Sequence, residues 1–233
     1  MDLGVKKVDY LVSTLKAATG VIPCVGSILS EIIGITIPNQ RIDRVEKYLK
    51  ILSDKLEKNS FDFKAKIKEN KNLLLLFEES IIYSAQTTSE KKYEWYSEFI
   101  ISSIKENGVE NIQQQRMLKI LSELNENEVI ILIFYSLNPT IGMKNKFIEE
   151  HSDIIIRGSN EMGLPAMKYV DNEFHDLYKK NLEQYGLIKR RPEVHRELNT
   201  IIIDKASGEI KQSIPQITML GKLVVNFIGA DNY

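Results

Sequence analysis

From residue 42 onward, apolar side chains return every three or four positions. Ile42, Val45, Tyr48, Leu49, Leu52 and Leu56 fall on one side of a 3.6-residue helix, and Arg41, Arg44, Lys47 and Lys50 spread over the rest. This spacing predicts a helix over residues 40–57, ended by Asn59 and Ser60. A second helix is expected over residues 72–85. There Leu73, Leu74, Leu75, Leu76 and Phe77 leave no polar side, which demands a central place among the helices. Thr87 stands three residues before Glu90, the spacing of a capping box. The helix behind it carries Trp95, Tyr96, Phe99, Ile100 and Ile104 inward and stops at Asn107 and Gly108. Asn125 and Glu128 repeat the same spacing ahead of Val129, Ile130, Ile131 and Leu132. These stripes read as core, not as a lining for a cofactor.

The texture changes toward the end of the chain. A helix bearing Val170, Phe174, Leu177, Tyr178, Leu182 and Tyr185 closes at Gly186, a residue suited to a left-handed C-cap. Leu187 and Ile188 then start a strand. A β-prone run follows at Thr200, Ile201, Ile202 and Ile203, with a turn at Ser207 and Gly208, and Thr218 caps an apolar helix running through Phe227. Helix, "YGLI", β-hairpin, then "ITMLG" opening a helix is the order of many winged-helix domains. One further helix is expected over residues 141–157, which separates the Val129 helix from the Asp171 helix. The expected fold is mainly α: an N-terminal helical bundle with an apolar hairpin, followed by a winged-helix-like domain with a small β-hairpin. The expected divisions are residues 1–38, 39–110 and 111–233.

Between Lys16 and Arg41 the only charged side chain is Glu31. Residues 17–37 are long enough to cross a bilayer, for which about 20 residues suffice. Gly26, Ser30 and Gly34 form a four-residue stripe that lets helix backbones approach closely. Pro23 would kink such a span, and Glu31 would cost about 2.5–3.5 kcal/mol near its centre. The segment therefore reads first as a buried helical hairpin packed on the bundle or on a second copy, and next as a conditional membrane contact. Gly26, Ser30, Glu31 and Gly34 are its candidate contact residues. Lys6 and Lys7 precede the apolar run, but Asp9 intervenes and no small-x-small cleavage site follows, so no signal peptide is read. Cys24 stands alone among 233 residues, which excludes an intrachain disulfide. A cytoplasmic protein, peripheral at the inner face of the membrane when it binds there, is expected.

Charge bears on partners. With 31 basic and 32 acidic side chains the formal net charge is -1, so the whole molecule offers no electrostatic footprint for nucleic acid. Near-neutrality favours self-association or a protein partner. Lys189, Arg190, Arg191 and Arg196 form the candidate nucleic-acid cluster, close to the expected hairpin. Against that role, the solvent side of the preceding helix carries Asp171, Glu173, Asp176 and Glu183 beside only Lys179 and Lys180. Residues 111–233 hold 15 basic and 16 acidic side chains, where base readers carry a positive excess on the docking face.

Catalytic patterns fail on inspection. Gly20, Gly26 and Ser27 approximate a phosphate-binding loop, but the spacing is one residue too long and the lysine is missing. Glu149, Glu150, His151 and Asp153 are contiguous on a helix and so point apart, which reads as a solvated face and not as a metal site. His175 and His195 lack ligand-spaced partners, and Glu78 with Glu79 is not an acid–base pair without geometry. No catalytic residue, metal, cofactor or small-molecule substrate is expected.

Taken in order, four pieces resemble the abortive-infection alpha family, bacterial proteins linked to phage resistance. They are the basic helix around Arg44, Val45, Glu46 and Lys47; "LLFEESIIYSAQTTSEKKYEWYSEFIISSI", with Glu79 and Trp95; "MLKILSELNENEVIIL"; and "NLEQYGLI" followed by "ITMLGKLVVNFI". The resemblance spans residues 41–228, and the insertion before the Asp171 helix departs from it. "GVIPCVGSILSEIIG" looks like a segment of small defence-associated proteins. The resemblance implies a non-enzymatic component of anti-phage defence that binds a partner or senses infection, and it carries over no catalytic residues. The alternative is a winged-helix DNA-binding transcription regulator.

Overall fold

The computed structural model describes residues 41–106, 108–137, 145–156, 166–195, 200–204, 208 and 210–230. The contact residues Gly26, Ser30, Glu31 and Gly34, and Arg196 of the basic cluster, lie outside these. Ten helices and four two-residue strands occur among the described residues, the mainly helical fold with a small β element that the pattern predicts. Two compact units divide the chain. One runs to Glu123 and takes in Phe227–Gly229; the other holds Leu124–Asn226 and the last four residues.

The first unit contains α1 (Ile42–Lys58), α2 (Phe63–Glu69), α3 (Lys71–Gln86), α4 (Glu90–Lys105) and α5 (Asn111–Glu123). All six apolar positions of the α1 stripe are buried, and the helix packs on α3 and α4. Tyr48 is fully enclosed. Its hydroxyl donates to Ser80 Oγ (2.7 Å), which donates on to the Phe77 carbonyl (2.6 Å), so the phenol is buried without an unsatisfied proton. Burial pushes its pKa well above the ordinary tyrosine range. α3 contacts α1, α2, α4 and α5, the central place its sequence demands, although Leu75 is 40% exposed. Phe63 and Phe77 pack edge to face at 5.2 Å and anchor α2. That helix has only Phe63 and Ile67 buried, too few for its periodicity to stand out.

The N-cap of α4 is Ser89, not Thr87: Ser89 Oγ accepts from the Lys92 N–H (3.1 Å), while Thr87 Oγ1 accepts from the Ser89 N–H. The division between the two compact units falls after Glu123. α5 buries Met117, Leu118 and Leu121 and packs on α3 and α4, so it belongs with the first unit.

The second unit begins with α6 (Glu126–Ser136), whose predicted capping box is present. Asn125 Oδ1 accepts from the Glu128 N–H (3.0 Å) and Glu128 Oε2 accepts from the Asn125 N–H (2.8 Å). In place of one helix over residues 141–157 stand α7 (Lys146–Glu150) and α8 (Ser152–Ile155), separated at His151. Then come α9 (Ala166–Gln184), β1 (Ile188–Lys189), β2 (Val194–His195), β3 (Thr200–Ile201), β4 (Gln216–Ile217) and α10 (Met219–Phe227). Gly186, at φ +69, ends α9 as expected.

The β element is more than one hairpin. β1 pairs antiparallel with β4, and β2 with β3. Isolated bridges join Pro192 to Gln212 and Ile203 to Ile210. Three backbone bonds close a ring at the meeting point: Glu193 N–H to Lys211 O, Lys211 N–H to Ile202 O, and Ile202 N–H to Glu193 O, all 2.8–2.9 Å. One stem and two short hairpins therefore share a junction. Three steps from Lys189 to Pro192 face four from Gln212 to Gln216, so a bulge sits at Ile214 and Pro215, where a proline is tolerated. Thr218 locks the stem to α10. Its hydroxyl donates to the Gly186 carbonyl (2.7 Å) and accepts from the Gly221 N–H (3.0 Å), and its own N–H donates to Leu187 O (2.9 Å).

Candidate functional site

Each feature of the second unit's surface follows from how α9 is held. Its inward side is largely polar. Asn172 and His175 are buried beside the aliphatic Leu182. His175 Nε2 lies 3.1 Å from the Ile155 carbonyl that ends α8. Asn181 Nδ2 donates to Glu128 Oε1 (2.7 Å), so the carboxylate that boxes the α6 N-terminus also ties α9 to it. Asn127 Nδ2 donates to the Tyr178 hydroxyl (3.3 Å).

With the polar side turned in, the apolar side turns out. Met167, Val170, Phe174 and Leu177 are exposed at 71%, 39%, 49% and 45%. Their spacings of three, four and three residues trace one stripe along the helix. The periodicity of Val170, Phe174 and Leu177 implied a buried face, and the structure reverses that. Asp171 and Glu173 flank the stripe, exposed on either side of it; Asp176 and Glu183 are only partly exposed. A cleft of about 370 Å³ borders it, lined in part by Asn127, Asp153, Ile156, Asp171, Phe174 and Tyr178. Ile156, 63% exposed, extends the apolar surface into that cleft.

The sequence also missed the β junction's second apolar face. Val194 pairs with Ile201, and Ile203 with Ile210. Alternation along the strand puts all four on one side, and each is about half exposed.

The basic cluster is only partly available. Lys189, Arg190 and Arg191 are exposed, but Arg190 Nε meets Glu183 Oε1 at 2.6 Å, and Lys211 Nζ meets Glu193 Oε2 at 2.9 Å. Tyr135 sits near the Arg190–Glu183 pair, its pKa pushed up to about 12, chiefly by burial. Strand alternation sets Lys189 and Arg191 on the face opposite Arg190. Arg190 and Lys211 are thus each paired with a carboxylate, while Lys189 and Arg191 stay exposed.

The other flagged groups take structural places. His151 stacks on Phe147 at 4.5 Å, and its Nδ1 lies 2.9 Å from the Phe147 carbonyl. Glu150 pairs with Lys146 at 3.6 Å. Among the described residues no group of three or more His, Cys, Asp or Glu is placed to hold a metal ion. Trp95 is buried; Glu79 is partly buried beside Lys119, and that burial raises its pKa. Among the described residues no helix is long and apolar enough to cross a membrane.

Comparison with known protein families, with curated proteins and with solved structures gave no match. Function is therefore read from the chain's own surface.

Proposed function

We propose that this chain is a non-enzymatic, protein-binding component of bacterial anti-phage defence, and that its second unit is a winged-helix-like docking platform. The observation that carries the reading is the outward apolar stripe of α9, Met167, Val170, Phe174 and Leu177, between Asp171 and Glu173. Exposing such a stripe costs solubility unless something covers it, and apolar patches of a few hundred Å² mark interaction sites. The order of sequence pieces that resembles the abortive-infection alpha family supplies the biological direction. The acidic residues on α9 oppose a polyanion, and the Arg190–Glu183 pair takes up one of the hairpin's cations, which weighs against a DNA-binding regulator.

The test is phage plating on bacteria that express the chain. Phe174→Ser with Leu177→Ser should abolish protection, raising plating at least about tenfold, with unchanged far-UV dichroism because both side chains are already exposed. Lys189→Ala with Arg191→Ala should leave protection intact. The opposite pattern, with loss of a duplex-DNA mobility shift in the lysine–arginine variant, would move the assignment to the regulator.

The Gly26, Ser30, Glu31 and Gly34 segment, outside the described residues, provides a conditional second contact in this scheme, with the inner face of the membrane. Flotation with anionic liposomes should recover the wild type, and Gly26→Leu with Gly34→Leu should reduce that recovery severalfold. A wild type that stays at the bottom of the gradient under all conditions eliminates the membrane role.

A further inference from the structure

A cavity of about 630 Å³ opens within the second unit, between the last turn of α6 and the strand β4. α6 packs on β4, and the bulge at Ile214 and Pro215 bends the chain where it enters that strand. The cavity shares no lining residue with the cleft beside α9. Phe134, Tyr135, Ile214, Pro215 and Ile217 form its apolar walls. The rings of Phe134 and Tyr135 lie 5.4 Å apart, tilted at 59°. Ile214 is 81% exposed, an aliphatic side chain that the bulge holds in water and that adds nothing to the core.

The polar lining is short and of one sign. The Ser136 hydroxyl donates to the Ile133 carbonyl (2.6 Å), which leaves Gln216 and Lys222 as donors for a ligand. Lys222 is the one charged side chain among the described lining residues, and among the described residues it enters no ion pair. Arg190, near Tyr135, is already matched by Glu183. Helix stability does not account for Lys222. It opens the second turn of α10, close to the positive end of the helix dipole, and no acidic residue occupies the first turn. A cation there gains nothing from the dipole, and the two together draw an anion.

We infer that this cavity binds a small organic monoanion, an apolar body bearing one carboxylate. The carboxylate sits at Lys222 and the body rests against Phe134, Tyr135 and Ile214. The carbonyls that end α6 carry the negative end of that helix's dipole, which sets this orientation. Small-molecule sites are commonly cavities of about 300–1,000 Å³ with apolar walls and a few convergent polar groups. An acyl chain and a fused aromatic ring both meet these requirements. The site stands independently of the α9 docking face.

Calorimetric titration of the purified full chain with decanoate and with 2-naphthoate tests the proposal. One-to-one binding is expected, with a Kd on the order of 100 µM for acids of this size. 2-Naphthol and decylamine, which lack the negative charge, should bind about tenfold more weakly. Methyl NMR should place the ligand at Ile214 and Ile217, with Val170 and Leu177 unmoved. Lys222→Met should weaken binding of the acids about tenfold and erase their advantage over 2-naphthol. The fold should survive that change, because Lys222 is exposed. Binding of one acid and not the other upholds the site and tells an acyl chain from an aromatic ring. No saturable binding of either acid up to roughly 5 mM, some fiftyfold above the expected Kd, overturns the proposal. Binding indifferent to Lys222→Met overturns it as well, and so do methyl shifts confined to the α9 stripe or to Val194 and Ile201.

Discussion

Gly221→Ala should destabilise the second unit by on the order of 3–5 kcal/mol, at the far end of what single substitutions do. A Cβ at this position would stand 2.2 Å from the Leu187 carbonyl oxygen and 2.8 Å from Ile217 Cγ1. The oxygen is main chain and cannot rotate away. It also accepts the Thr218 N–H at 2.9 Å, so pushing it aside breaks the contact that ties the β stem to α10. Urea denaturation followed by near-ultraviolet dichroism should show a midpoint lowered by more than about 1 M for a typical slope. Gly208→Ala provides the control. Gly208 sits at φ +73 with open space around its Cβ direction, so that change should cost only about 1 kcal/mol of backbone strain. Equal costs at both sites would mean that α10 does not press on Leu187.

Phe99→Ala is expected to cost the first unit about 3–5 kcal/mol, the usual range for emptying an aromatic site that cannot collapse. Phe99 is completely buried, and its ring lies 5.0 Å from that of Phe227. Phe227 belongs to the first unit although it ends α10, so the cavity would open where a distant part of the sequence returns. Leu75→Ala, by contrast, should cost under about 1 kcal/mol, because Leu75 is 40% exposed in the middle of a run that is apolar on every side. Thermal unfolding of the two variants side by side measures the difference. A Leu75→Ala variant as damaged as Phe99→Ala would contradict the placement of α3.

The contrast between Leu75 and the α1 stripe shows what patterning can decide. Ile42, Val45, Tyr48, Leu49, Leu52 and Leu56 were legible because charged residues occupy the rest of that helix, leaving one side for the core. In the run from Leu73 to Phe77 every side is apolar, and sequence cannot say which side is left over. On α9 the stripe was visible but its direction was not. Asn172 and His175 occupy the buried side, and no local spacing announces Asn181 to Glu128 or His175 to Ile155.

Backbone chemistry was the least legible. The ring of main-chain bonds among Glu193, Ile202 and Lys211 uses no side chain, so the β run read as one hairpin where the chain builds a three-way junction. The Arg190–Glu183 pair crosses the turn at Gly186. In sequence Arg190 belonged with Lys189 and Arg191 as a cationic cluster, and its carboxylate neighbour emerged only from the fold. Caps fared better because their spacing is fixed by helix geometry. The box at Asn125 and Glu128 held, while at α4 the cap moved two residues, from Thr87 to Ser89, since two hydroxyl-bearing residues compete within one turn.

Hydroxyl-radical footprinting of the dilute full chain, read residue by residue by mass spectrometry, tests the outward face of α9 most directly. Met167 and Phe174 should oxidise readily while His175, one position further on, and Phe227 stay protected. If His175 labels while Met167 and Phe174 resist oxidation at the lowest concentration, the helix presents its polar side to water and the docking surface does not exist.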